Sequence, residues 1–192
     1  MAIPFERLGW LFVRWGHRVY PGWAAPSLQC WIRSLPPGSL VLDLGGGTGV
    51  LTSWALKERK DARYVVVDVA SGMMAHVPDG VEKLVASAEE LPYADGSVDA
   101  VMMGEALHHF RDSERALREI ARILRPGGSL WIYDFDPTRG VGRWVYWGEK
   151  LVGEPASFYR PGVLATRLVE LGLDAEFDCR NGQYVLTAVR RV

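Results

Sequence analysis

The chain has almost no cysteine. Of 192 residues only Cys30 and Cys179 are cysteines, and only four are histidines. Two thiols this far apart give neither a disulfide framework nor a zinc-ligand spacing, and they suit a reducing, cytoplasmic setting. With no clustered carboxylates beside the scattered histidines, no metal is expected. An excess of one charge is also missing. The formal net charge is −1, too little for the basic field that non-specific nucleic-acid binding needs, so no nucleic-acid partner is expected. No apolar run reaches the roughly 20 residues of a membrane-spanning helix. Near the N-terminus Glu6, Arg14 and Arg18 interrupt the apolar stretch, which argues against a secretory signal. Internal repeats and low-complexity linkers are lacking too. At 48% hydrophobic residues the length suits one packed domain over 1–192 and is short for two.

What is present is unevenly distributed. Residues 40–136 hold ten Lys/Arg against sixteen Asp/Glu, whereas 1–39 hold four Arg against one Glu, and 137–167 hold five Lys/Arg against two Glu. Six of the eight tryptophans (Trp10, Trp15, Trp23, Trp31, Trp144 and Trp147) lie in those two flanks. An acidic core between basic, aromatic flanks divides the chain into a cap (1–39), a core (40–136), a substrate lid (137–160) and a final helix and hairpin (161–192).

Within the core, Leu40–Thr52 reads LVLDLGGGTGVLT. A buried strand runs into glycines at 45, 46, 47 and 49, which let the backbone turn tightly and approach a ligand with no Cβ in the way. The dinucleotide fingerprint would place Gly or Ala at position 50, where Val50 stands. Asp43 lies two residues before the first glycine. Its carboxylate would repel a pyrophosphate but suits a ligand with an ammonium group, which favours S-adenosylmethionine over NAD.

The pattern alternates strand and helix: strand 40–45, helix 49–60, strand 63–69, a short helix near 72–76, strands 82–86 and 98–103, helix 113–124, and strand 129–134. Asp112 or Ser113 caps the helix at 113, and a Pro-Gly-Gly turn follows its end. Such alternation implies a parallel sheet with helices on both faces. Helix 161–171 then leads to strands 175–179 and 183–189, joined by the tight Arg180-Asn181-Gly182 turn. Upstream, Leu8, Leu11, Phe12, Trp15 and Val19 recur at helical spacing beside Arg7, Arg14 and Arg18, and a short helix is expected near 27–34.

Four segments in this order, LVLDLGGGTGVLT, RYVVVDV (63–69), SAEELPYADGSVD (87–99) with VDAVMMGEALHHF, and ILRPGGSLWIYDFD, resemble the class I S-adenosylmethionine-dependent methyltransferases. The similarity is greatest to the branch of ubiquinone/menaquinone-biosynthesis C-methyltransferases. The resemblance implies a Rossmann-like α/β fold, with a seven-stranded, mostly parallel sheet ending in an antiparallel hairpin. It also implies S-adenosylmethionine as cofactor and S-adenosylhomocysteine as product.

Carried over residue by residue, the resemblance puts Gly45, Gly46, Gly47 and Gly49 in the cofactor loop. Asp43 falls near the methionine ammonium, with a helix-capping carboxylate as the alternative. Asp68 and the adjoining Val69 fall at the ribose, and Met73 at the adenine or in the core. At Ser87, Ala88 and Glu89 the chain departs from the family, which usually has Asp where Ser87 stands to receive the adenine amino group. Gly104 and Glu105 open the loop beside the methionine end. His108 and His109 follow, and His109 is the candidate base for an acidic acceptor, with loop or helix capping as its alternative.

Methyl transfer from a sulfonium needs alignment and exclusion of water more than bond polarisation, so the acceptor site is poorly legible. The expected function is methylation of a small, largely apolar or aromatic acceptor. The alternatives are a catalytically silent, cofactor-binding regulatory partner and an RNA or protein methyltransferase. The flanks could roof the acceptor, rest peripherally on a membrane, or pack.

Overall fold

The computed structural model describes residues 20–153 and 157–192. The helix expected around Leu8–Val19, with its arginines and with Trp10 and Trp15, lies outside the described residues. Seven strands, β1 (Leu40–Leu44), β2 (Arg63–Asp68), β3 (Glu82–Val85), β4 (Val98–Gly104), β5 (Leu124–Phe135), β6 (Leu173–Arg180) and β7 (Gln183–Arg190), form one sheet in the order β3-β2-β1-β4-β5-β7-β6. The pairings among β1–β5 are parallel, and β7 is antiparallel to both β5 and β6. The expected architecture is the one found.

Both faces of the sheet are covered, which is why β1 and β4 read as near-continuous apolar runs. Alternate residues point to opposite sides. Leu42, Leu44, Val65, Val101 and Met103 pack with Leu117 and Ile120 of α3 (Ser113–Ile123) and with Leu164 and Leu168 of α5 (Pro161–Glu170). On the other face Val41, Ala100, Met102 and Trp131 meet Leu28 and Ile32 of α1 (Ala24–Ser34) and Leu51 and Ala55 of α2 (Val50–Glu58). The remaining long helix, α4 (Gly140–Val152), spans most of the segment expected as a lid.

Two boundaries differ from expectation by three residues or more. Helix α1 starts three residues earlier than expected, at Ala24. Pro26 is thereby placed in the first turn, where its missing N–H is no loss. Strand β5 begins at Leu124, which pairs with Val98; the register then jumps so that Ser129 faces Ala100. The Pro-Gly-Gly segment is therefore an irregularity within the strand. At the β6–β7 turn Asn181 and Gly182 both have positive φ, 49° and 78°, the twist-matched geometry favoured in two-residue hairpins.

Strands β2 and β4 flank β1, and the connections leave β1 in opposite directions across the sheet. In open α/β sheets a ligand crevice lies outside the carboxyl ends of the strands at such a reversal. No described helix is long and apolar enough to cross a membrane.

Candidate cofactor cleft

A cleft of about 510 Å3 opens at that point, within the range of small-molecule and cofactor sites. Every residue assigned from the sequence to the cofactor, and the candidate base His109, lines it except Gly49. Gly49 instead precedes α2 with φ 74°, and a Cβ there would lie 3.2–3.3 Å from Pro78 and Val77. It starts the helix, and the glycines that line the cleft are Gly45, Gly46 and Gly47.

The cradle has no room for side chains. A Cβ on Gly45 would meet Ala106 at 2.6 Å, one on Gly46 would meet the Asp43 carboxyl at 2.6 Å, and one on Gly47 would meet the Met73 methyl at 2.9 Å. Asp68, at the end of β2, braces the same loop. Its Oδ2 accepts from the Gly47 N–H at 2.9 Å and its Oδ1 from the Ala70 N–H at 2.8 Å. Burial raises its pKa while these backbone donors pull it back. Each oxygen keeps a second lone pair for a ligand hydroxyl.

Asp43 meets the helix-capping alternative with one oxygen and leaves the other unpaired. It is 1% exposed. Its Oδ2 accepts from the Thr52 hydroxyl (2.7 Å) and the Thr52 N–H (3.2 Å), satisfying an orphan donor in the first turn of α2. Its Oδ1 is buried with no hydrogen-bond partner. An orphaned carboxylate oxygen in a cleft wall costs free energy unless a donor meets it, and a ligand ammonium fits that need. Burial, partly offset by Thr52, raises this carboxyl to about 6.

Farther round the wall, Met73 is 9% exposed and Val69 is 67% exposed. The Ser87 hydroxyl donates to Glu89 Oε2, and Glu89 Oε1 accepts from the Asp112 N–H at 3.2 Å. Ser87 thus braces the Glu89 loop, and its oxygen keeps acceptor capacity for a ligand. Glu105 has the left-handed φ of 54°. Its N–H donates to the Tyr133 carbonyl (2.9 Å) while its Oε1 is buried without a partner. Burial first, then the nearby Asp134 and Glu149 carboxylates, push this acid up to about 8, with His108 opposing.

The two histidines have separate places. His109 lines the cleft, whereas His108 lies behind it, 1% exposed, with Nδ1 2.6 Å from Asp134 Oδ1 and Nε2 3.3 Å from Glu149 Oε1. Burial alone would lower its pKa, but the two carboxylates outweigh it and raise it to about 10.

Two participants were not singled out from the sequence. Tyr20 lines the cleft, donates to the Gly104 carbonyl at 3.3 Å, and packs on Tyr133 with ring centroids 5.3 Å apart. Its only sequence signal was membership of the aromatic flank. Glu149 carried no signal at all; α4 brings it to the histidines from forty residues away. The rest of the expected lid behaves differently. Trp144 and Trp147 on α4 are 73% and 61% exposed, and no described residue of 137–160 lines the cleft.

Residues 42–132 match the family model described as a methyltransferase domain. The chain is 40% identical over 111 residues to a malonyl-[acyl-carrier protein] O-methyltransferase of Methylococcus capsulatus, a match covering 54% of this chain and 40% of the relative. Over 129 residues it is 34% identical to the ubiquinone/menaquinone biosynthesis C-methyltransferase UbiE of Hydrogenovibrio crunogenus, covering 62% and 49%. The chain thus spans about half the length, or less, of these curated relatives. Among solved structures, a putative methyltransferase of Haloferax volcanii in complex with the Trm112 activator superposes with a TM-score of 0.77 at 21% identity, over 100% of both chains. A SAM-dependent methyltransferase of Thermotoga maritima, described as a possible histamine N-methyltransferase, gives 0.75 at 24% identity, over 97% of this chain and 98% of that one. At these identities the likeness is one of fold.

Proposed function

We propose that this chain is a class I S-adenosylmethionine-dependent methyltransferase, similar to the ubiquinone/menaquinone C-methyltransferases, and that it methylates a small, largely apolar or aromatic acceptor. The observation that carries this reading is the pairing of a side-chain-free glycine cradle with two carboxylates. One is Asp68, already turned toward the loop, and the other is Asp43, with an orphaned oxygen in the wall. Asp68 would accept the ribose hydroxyls beside Val69, and Asp43 Oδ1 would receive the methionine ammonium. Met73 would cover the adenine, with Ser87, Ala88 and Glu89 at its edge. Gly104 and Glu105 border the methionine end. The bound cofactor supplies an electrophilic methyl on a sulfonium. The chain's task is then to align the acceptor and exclude water. Tyr20, which lines the cleft beside Gly104 and is backed by the buried Tyr133, offers a rigid apolar surface of the kind such an acceptor needs. His109, which lines the cleft, would take a proton where the acceptor must lose one.

Two measurements test the cofactor assignment. S-adenosylmethionine and S-adenosylhomocysteine are expected to raise the melting temperature, and NAD to leave it unchanged, because a ligand held only by the folded form stabilises it. Stabilisation by NAD alone refutes the assignment. Asp68→Ala is expected to weaken S-adenosylhomocysteine by about 1.5–3 kcal/mol, roughly 10- to 150-fold, as a charge-assisted acceptor is lost. Unchanged affinity by calorimetry removes Asp68 from the ribose. A silent regulatory partner would bind the same ligands and turn nothing over; formation of S-adenosylhomocysteine with a panel of apolar acceptors separates the two.

A further inference from the structure

Behind the cleft, the short 3-10 turn Leu107–His109 and helix α4 meet around a second cluster of side chains. His108 Nε2 lies 3.3 Å from Glu149 Oε1, and His109 Nε2 lies 4.0 Å from the same oxygen. One ligand-capable atom from each of the three residues falls within 4.8 Å of the other two. Glu149 Oε2 and Glu105 Oε1 are both buried without a hydrogen-bond partner. We propose that His108, His109 and Glu149 form a binding site for one divalent transition-metal ion in the wall of the cofactor cleft.

The distances fit such an ion. Metal–nitrogen and metal–oxygen bonds of about 2.0–2.1 Å place the ligands of a tetrahedral centre roughly 3.3 Å apart. The His108–Glu149 pair already stands at 3.3 Å, and His109 Nε2, at 4.0 Å from the same oxygen, is within an ångström of that spacing. Its ring is tilted 46° against that of His108 with centroids 4.1 Å apart, and no two of the three ligand atoms are more than 4.8 Å apart.

The surroundings fit as well. Asp134 Oδ1 takes the Nδ1 side of His108 at 2.6 Å. With Nδ1–H donated to a carboxylate, Nε2 presents its lone pair to the ion, the outer support that metal-bound histidines normally have. Phe158 stacks on the His108 ring at 4.1 Å and 12°, and the His108 carbonyl accepts from the Ser157 N–H at 3.0 Å, so the ring is held from its other side. Three carboxylates, Glu105, Asp134 and Glu149, converge on this buried spot, where unpaired negative charge is expensive. A divalent cation offsets them more fully than a single imidazolium. Two imidazoles and one carboxylate favour Zn2+, Co2+, Fe2+ or Ni2+ over Mg2+ or Ca2+, which prefer all-oxygen shells.

Three protein ligands leave a tetrahedral ion one open position. Since His109 also lines the cleft, an acceptor there reaches that position through a hydroxyl or amine. This last step rests on the methyl-transfer reading; the binding of the ion does not.

The test uses the untagged full chain, stripped with chelator and titrated with Co2+, read by calorimetry and by the visible absorption of a low-coordinate cobalt site. One ion per chain is expected. Glu149→Gln and His109→Gln are each expected to weaken it at least 10-fold. S-adenosylhomocysteine binding to the same metal-free preparations, measured in parallel, reports separately on the cofactor cleft. Absence of stoichiometric uptake, or uptake equal in the parent and both folded variants, overturns the proposal even where S-adenosylhomocysteine still binds. If Glu149→Gln fails to fold, the half-buried His109→Gln decides alone. Uptake with cofactor binding absent upholds the metal site and sinks the methyl-transfer reading instead.

Discussion

Gly45→Ala is expected to lower the unfolding free energy by about 2–5 kcal/mol, combining the left-handed penalty of roughly 1–2 with overpacking of roughly 1–3. The residue sits at φ 69°, and its new methyl would lie 2.6 Å from the Ala106 Cβ and 3.4 Å from the Phe110 ring. The backbone has little freedom to retreat, because the Gly45 N–H donates to the Val67 carbonyl at 2.8 Å. In a chain of this size that loss corresponds to a melting temperature lower by about 5–15 °C. Gly148→Ala is the control. It lies within α4 with nothing within 4 Å of the added methyl, and is expected to be neutral or stabilising by about 0.5–1 kcal/mol. Equal melting temperatures for Gly45→Ala and the parent would show that the loop yields easily and is no rigid cradle.

The second large effect is on pH. Asp43 is raised from 3.8 to about 6 in the folded chain, chiefly by burial. Between those values the native state keeps a proton that the unfolded chain has released. Its contribution therefore makes stability fall as pH rises through 3.8–6, and the loss is complete above about 6. Asp43→Asn removes this dependence. The stability of the variant relative to the parent is expected to improve by about 2.4 kcal/mol between pH 4 and pH 7. A relative stability that does not change with pH over that range contradicts the buried, orphaned carboxyl. The same titration reports on the ligand. If the ammonium of S-adenosylhomocysteine meets Oδ1, binding near pH 5 releases a proton in the parent and none in Asp43→Asn.

What the sequence could reveal followed from period and from backbone constraint. The β-branched runs, the glycine cradle and the Asn181-Gly182 turn are local, and each appears where it was expected. Gly49 precedes α2 and does not line the cleft; the spacing of glycines reports positive φ without saying whether a ligand or a helix start demands it. The beginning of β5 was missed because Pro126 and the two glycines after it read as a turn, while the pairing of Leu124 with Val98 is a property of the neighbouring strand. The cluster at His108 was invisible for a related reason. Glu149 belongs to a helix whose placement depends on the whole sheet, so no spacing along the chain connects it to the histidines. Asp43 was half legible: its position before the glycines marked it, but only Thr52 in three dimensions shows that one oxygen is already engaged.

The place of β7 between β5 and β6 bears on how this chain is made. Residues 124–135 acquire their second neighbouring strand only from residues 183–190, and β6, although synthesised first, reaches the sheet only through β7. During translation the open edge of β5 must wait for about fifty further residues, exposed to other chains meanwhile. Helix α5, which packs Leu164 and Leu168 into the core, emerges within that interval and can shelter the face of the sheet but not its edge. Closing the sheet therefore waits until the hairpin has left the ribosome.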